Sequence, residues 1–87
     1  MKALFDAQAG RCTYTAVALV PGVNASVDHR VPISRGGPHS IENVHWVDRR
    51  VNIAKADMTH EEFIAMCEEV VEVAYSGKTI RSPSVSR

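Results

Sequence analysis

Cysteine is scarce in this chain. Cys12 and Cys67 are the only two, far apart and outside any C-x-x-C pair. A disulfide is open on count alone. With no export signal, two reduced thiols are expected instead, and neither belongs to a zinc-ligand pair. An excess of either charge is also missing, with Lys+Arg 10 against Asp+Glu 10, which counts against a dedicated nucleic-acid binder, usually basic. No apolar run approaches the roughly 20 residues of a membrane span. Asp6 interrupts the apolar start Ala3-Leu4-Phe5 before a signal-peptide core can form. Internal repeats and low-complexity blocks are lacking. These absences leave a soluble, cytoplasmic protein with no membrane partner as the expectation. At 87 residues the chain makes one small domain, with a modest core of the kind often helped by a metal, a disulfide or a partner.

The charges that are present are sorted along the chain. Arg30, Arg35, Arg49, Arg50 and Lys55 cluster over 27–55, whereas Glu61, Glu62, Glu68, Glu69 and Glu72 share one later segment. Lys78, Arg81 and Arg87 close the chain with no acid among them. A basic working face and an acidic back can coexist at zero net charge.

Local signals predict an α+β fold. Good helix formers over 2–9 predict a short N-terminal helix, stopped by Gly10. Residues 11–20 are rich in strand formers and predict two short strands or one irregular extended run, with a turn at Thr15-Ala16 and another at Pro21-Gly22. Asn24-Ala25-Ser26 matches a glycosylation sequon, given no role without an export signal. A strand is expected over 27–31, ended by Pro32, then a loop at 34–38 whose glycines allow close backbone approach to a partner such as phosphate. A return strand is expected over 41–47 with Ile41, Val44 and Trp46 as candidates for the buried side. Asp48 is placed to cap a helix over 49–56. Thr59 and Glu62 form a capping box for a helix reaching about residue 75. Its apolar face is Phe63, Met66 or Cys67, Val70, Val71 and Ala74, opposite the glutamates. Gly77 ends it, leaving 77–87 as a flexible tail and 1–76 as the domain.

The chemistry gathers between residues 27 and 55. Hydrolysis of a phosphodiester needs a water to lose a proton, charge on the phosphate oxygens to be neutralised and the leaving oxygen to be stabilised. The His29 imidazole suits the first task. A hard divalent cation on oxygen ligands suits the others, and Asp28 and Asn52 offer a carboxylate and an amide oxygen. Neighbours on a regular strand point to opposite faces, so Asp28 and His29 can serve one site only where the strand twists, bulges or ends. Taken singly, Asp28-His29 also reads as an exposed pair at a strand end, and Asn43 and Asn52 as a turn residue and a surface helix residue. His39 is read as an exposed loop histidine that could touch phosphate or metal, His45 as an exposed strand residue or a substrate contact, and His60 as a helix-start residue with no role. Trp46, Met58 and Met66 are read as packing.

Taken together, Asp28, His29, Pro32, Ser34, Gly36, Gly37, Asn43, Val44, Asn52 and Lys55 resemble the motif D-H-x-x-P-x-S-x-G-G … N-L … N-x-x-K of the HNH, or His-Me finger, endonucleases. Gly10-Arg11-Cys12 and Asp57-Met58-Thr59 with Glu62 and Phe63 extend the resemblance to about residues 4–70. The resemblance implies a ββα-metal core of two antiparallel strands and a helix gripping one divalent cation. It implies His29 as general base, Asn43 as the brace that orients it, and Asp28 and Asn52 as metal ligands, in the H-N-N form of the motif. Amide oxygen is a hard donor, so Mg2+ or Mn2+ is expected. Many members also carry two C-x-x-C pairs. Here Thr15, Asp48 and Val51 stand at three of those four positions, so no structural zinc is expected. The partner implied is double-stranded DNA, with Arg30, Arg35, His45, Arg49 and Lys55 as candidate nucleic-acid contacts and a fused or separate module supplying targeting. Two other readings stay open: a non-catalytic module binding nucleic acid or protein, and a metal held purely for folding.

Overall fold

The computed structural model describes residues 1–76. The tail expected over 77–87 lies outside the described residues. The architecture is α+β. A short helix α1 (Lys2–Ala7) leads through an irregular segment to strand β1 (Ala25–His29). Two single-turn 3-10 segments, Ile33–Arg35 and Ile41–Asn43, connect it to strand β2 (Val44–Asp48), which runs directly into helix α2 (Arg49–Lys55). Helix α3 (His60–Ser76) follows. Among the described residues, no helix is long and apolar enough to cross a membrane.

The two strands pair antiparallel, with Asp28 opposite His45 and His29 opposite Val44. β1 starts earlier than expected and stops at His29 rather than residue 31. The amides of Arg30 and Val31 leave the ladder for Asn43: Arg30 N–H donates to the Asn43 backbone carbonyl (2.8 Å) and Val31 N–H to the Asn43 side-chain oxygen (3.0 Å). β2 likewise begins only at Val44, because Ile41–Asn43 winds into a 3-10 turn. Ile41 is consequently exposed and Trp46 only half-buried, while Val44, His45 and Val47 are buried.

The core sits on the face of the ribbon covered by α2. Val47 and Val51 meet Cys12, Leu19 and Phe63, with Tyr14, Met58 and Cys67 packed against them. Both cysteines are free thiols. Segment 11–20 forms the irregular run rather than paired strands. Its one bridge joins Arg11 to Ala18, and the expected turn at Thr15-Ala16 is tight enough to put Ala16 at φ 63°. On the opposite face α1 covers part of the ribbon, where Phe5 meets Trp46 edge-on at 5.6 Å between ring centroids.

The helix caps form as the sequence predicts. The Asp48 carboxylate accepts from Arg50 N–H (2.9 Å) at the start of α2. At α3 the Thr59 hydroxyl accepts from Glu62 N–H (3.2 Å) while Glu62 accepts from Thr59 N–H (3.0 Å). The apolar face expected along all of α3 packs only at its start. Phe63 is buried and Cys67 half-buried, but Val70 and Val71 are exposed. Seventeen helical residues extend about 25 Å, whereas five-residue strands extend about 17 Å, so the helix outruns the ribbon that would cover it.

Candidate functional site

The end of β1 is a junction. Asp28 and His29 are its last two residues, and the alternation of a strand sends them to different surroundings. Asp28 turns toward α2 and is 4% exposed. His29 shares the other face with Val27 and is half-buried. Because the strand stops there, both still reach one recess. A cavity of about 170 Å³ at the strand end is lined by Val27, Asp28, His29, Pro32, Ile33, Asn52 and Ala56. Asp28, His29 and Asn52 therefore border one recess, although the Asp28 carboxylate and the His29 ring belong to opposite faces of the ribbon.

Asp28 is held by two buried partners. Its Oδ2 lies 2.6 Å from His45 Nε2, and its Oδ1 accepts from Lys55 Nζ at 3.2 Å. Facing a carboxylate, His45 Nε2 carries a proton and donates, and the Thr13 hydroxyl meets Nδ1 on the far side of the ring (2.7 Å). Lys55 also donates to the His29 carbonyl (2.9 Å). Burial pushes the Asp28 carboxyl up, but the hydrogen bonds from His45 and Lys55 and the Lys55 charge outweigh it, and its pKa falls below the ordinary carboxylate value. Asp28 is ionised near neutral pH.

Asn52 sits one turn before Lys55. Its Nδ2 donates to Ser26 Oγ (2.6 Å) and the Val27 carbonyl (3.2 Å), and among the described residues nothing donates to its Oδ1. Asn43, buried, clamps the loop between the strands. Its amide donates to the carbonyls of Val31 (2.9 Å) and Pro38 (2.8 Å), and its oxygen accepts from Val31. Gly37 lies under the same clamp: a Cβ there would fall 1.8 Å from the Val31 carbonyl oxygen. The close approach expected of the glycine pair against phosphate is, at Gly37, an approach to the chain itself.

Donor chemistry can be tested against a divalent cation. Each Asp28 oxygen accepts one hydrogen bond, and a carboxylate has about four lone-pair sites, so coordination capacity remains. One carboxylate and one amide oxygen match a hard ion that keeps several waters and completes its shell with substrate phosphate. Among the described residues no group of three or more His, Cys, Asp and Glu could hold an ion, and the Lys55 ammonium offsets the Asp28 charge.

The candidate nucleic-acid contacts separate. Arg49 is exposed and Arg30 half-buried. Arg35 instead grips Glu62 with two guanidinium nitrogens (2.5 and 3.1 Å) and reaches the Asp57 carbonyl, tying the loop to the start of α3. Hydrogen bonds from Arg35 and from Thr59 N–H hold the Glu62 carboxyl down at about 2. His45 and Lys55, expected at the surface, lie inside at 1% and 0% exposure. Neither can meet phosphate there, because each is spent on Asp28. The sequence signal for this was available for Lys55, which lies one helical turn after Val51, on the face of α2 that packs on the ribbon; alternation with Val44 and Trp46 instead turned His45 to the solvent side. His60, given no role, receives the Tyr14 phenol at Nδ1 (2.7 Å). Burial raises the Tyr14 pKa to about 12, so that hydroxyl stays protonated and donates. His39 comes within 2.9 Å of His29.

No known family model and no curated protein matches the chain.

Proposed function

We propose that the chain is a metal-dependent endonuclease of the HNH type that hydrolyses DNA phosphodiesters. The observation that carries the proposal is the shared cavity lined by Asp28, His29 and Asn52. The element order β1, β2, α2 is also the order that a ββα-metal core requires.

In this reading His29 takes a proton from water as the water oxygen bonds to phosphorus. The bond from phosphorus to the 3′ oxygen breaks and that oxygen takes a proton from solvent water, leaving 5′-phosphate and 3′-hydroxyl ends. Asp28 and Asn52 would hold Mg2+ or Mn2+, whose charge stabilises the phosphate oxygens and the departing oxygen. His45 and Lys55 keep Asp28 ionised and fixed, and Asn43 shapes the loop beside the imidazole. Arg30 and Arg49 remain as the contacts for flanking phosphates. With His45 and Lys55 enclosed and Arg35 paired with Glu62, part of the affinity for double-stranded DNA would come from a fused or separate targeting module.

The test is nicking of supercoiled plasmid with Mg2+, Mn2+ or EDTA. Cleavage should require the cation and fall about 10²–10⁴-fold in His29→Ala, the range for loss of a general base. Equal cutting by the variant rules out the assigned base. One observation favours a non-catalytic binding module as the second reading: the Lys55 ammonium already neutralises Asp28. DNA retention in a gel shift, with no cutting under any cation, would select it.

A further inference from the structure

His29 and His39 meet ring to ring. His29 Nε2 lies 2.9 Å from His39 Nδ1, with ring planes 24° apart and centroids 5.1 Å apart. Two neutral imidazoles sharing one hydrogen bond must divide its roles, one nitrogen carrying the proton and the other offering its lone pair. Two arrangements follow. If His39 Nδ1 donates, His29 Nε2 spends its lone pair on that bond and His29 Nδ1 carries the ring proton, so no basic nitrogen is left. If His29 Nε2 donates, His29 Nδ1 keeps a lone pair. Among the described residues no donor or acceptor reaches His29 Nδ1 or His39 Nε2, so each arrangement leaves one N–H without a protein acceptor: on half-buried His29 in the first, on exposed His39 in the second. The second puts it on the ring that water reaches more freely.

The contact is held in place from both sides. The residues flanking His39 are tied to Asn43: the Pro38 carbonyl accepts from Asn43 Nδ2 (2.8 Å) and the Ser40 carbonyl from Asn43 N–H (3.0 Å). The His29 backbone is fixed by Lys55 Nζ on its carbonyl (2.9 Å). Asn43 therefore acts on His29 through His39, by fixing the loop that presents the second imidazole.

We infer that His39 is the positioning residue of the site. Its Nδ1 accepts from His29 Nε2–H and holds His29 in the tautomer whose Nδ1 is the free basic nitrogen. The catalytic consequence rests on the endonuclease proposal, but the tautomer does not.

The experiment uses the full chain with ¹⁵N-labelled imidazoles. Long-range ¹H–¹⁵N spectra are recorded where both rings are neutral and assigned with His29→Ala and His39→Ala. The expected wild-type result is a protonated Nε2 and an unprotonated Nδ1 on His29. In His39→Ala that preference should collapse to a mixture of tautomers. His39→Asn, whose side-chain oxygen can accept near the position of Nδ1, should restore it. In plasmid nicking at fixed pH, His39→Ala should lower kcat about 10–100-fold, as loss of a histidine's outer partner does at metal sites, with KM unchanged and with recovery in His39→Asn. A wild-type His29 carrying its proton on Nδ1, or a His29 spectrum unaltered by His39→Ala, overturns the inference. Should the wild-type chain cut nothing, the endonuclease proposal falls while the nitrogen shifts still decide the tautomer.

Discussion

The two faces of the β ribbon use polar groups in opposite ways. Under α2, Asp28, His45 and Lys55 are all nearly inaccessible, with His45 and Lys55 each bonded to Asp28. On the other face, one residue along the same strand, His29 is half-buried and its ring partner His39 is exposed. Each member of the covered network has at least one partner, and no buried side-chain nitrogen or oxygen among the described residues lacks one. The open pair keeps a nitrogen to spare. A buried charge is tolerable only when paired, so the covered face must be complete to exist. The open face has water as a substitute partner and can stay unfinished. A group that must react belongs on the second kind of surface, and a group that must stay ionised and fixed belongs on the first.

The sharpest way to break this contrast is to remove one charge from the covered side. Lys55→Ala leaves the Asp28 carboxylate buried with one partner fewer. It should lower the unfolding free energy by about 3–5 kcal/mol, the usual cost of orphaning a buried charge, read from urea denaturation. A change under about 1 kcal/mol would mean that the network does not hold the fold. His29→Ala, on the open face, should shift stability by no more than about 0.5 kcal/mol while abolishing most cleavage. Comparable destabilisation by the two variants would erase the distinction between the faces.

Smaller effects belong to the tie between the loop and α3. Thr59→Ala removes half of the capping box and should cost about 1 kcal/mol, seen in the same denaturation series. The smallest effect is on acid stability. The Glu62 carboxyl, ordinarily near 4.5, is held at about 2 by Arg35 and Thr59. Its folded value is depressed, so its contribution is present above the ordinary value and is lost as pH falls through the folded one. Asp28, also depressed, acts in the same direction. Stability should therefore decline below about pH 4.5, and Glu62→Gln should flatten that decline slightly while leaving the part due to Asp28. An acid limb identical in Glu62→Gln and wild type would show that the exposed pair adds nothing.

Most local structure was legible in residue order. Asp48, Thr59 and Glu62 announce their helix starts because a cap needs only neighbours in sequence. Pro32 announced an end to β1 at residue 31, but Asn43 ends it two residues sooner by drawing off the Arg30 and Val31 amides. Of the candidate site, Asp28, His29 and Asn52 do reach one cavity, and Asn43 does sit on the loop. His45 and Lys55 could not be separated from Arg30 and Arg49 by composition, since an imidazole or ammonium looks the same whether it faces solvent or a carboxylate 17 or 27 residues away in the chain. The exposed end of α3 was missed for a related reason. Helical spacing shows that Val70 and Val71 share an apolar side, but not how far the body they would pack on extends.

By itself the sequence determined most of the elements and their order, because periodicity, capping and turn chemistry act over a few residues, and it offered an acid, an amide and an imidazole as candidates. Only the tertiary structure decided which of those groups would be enclosed. It turned Asp28 inward onto His45 and Lys55, and left His29 facing out against His39. Burial and partnership depend on what the fold brings across from a distant stretch of chain, and short-range pattern carries no record of that.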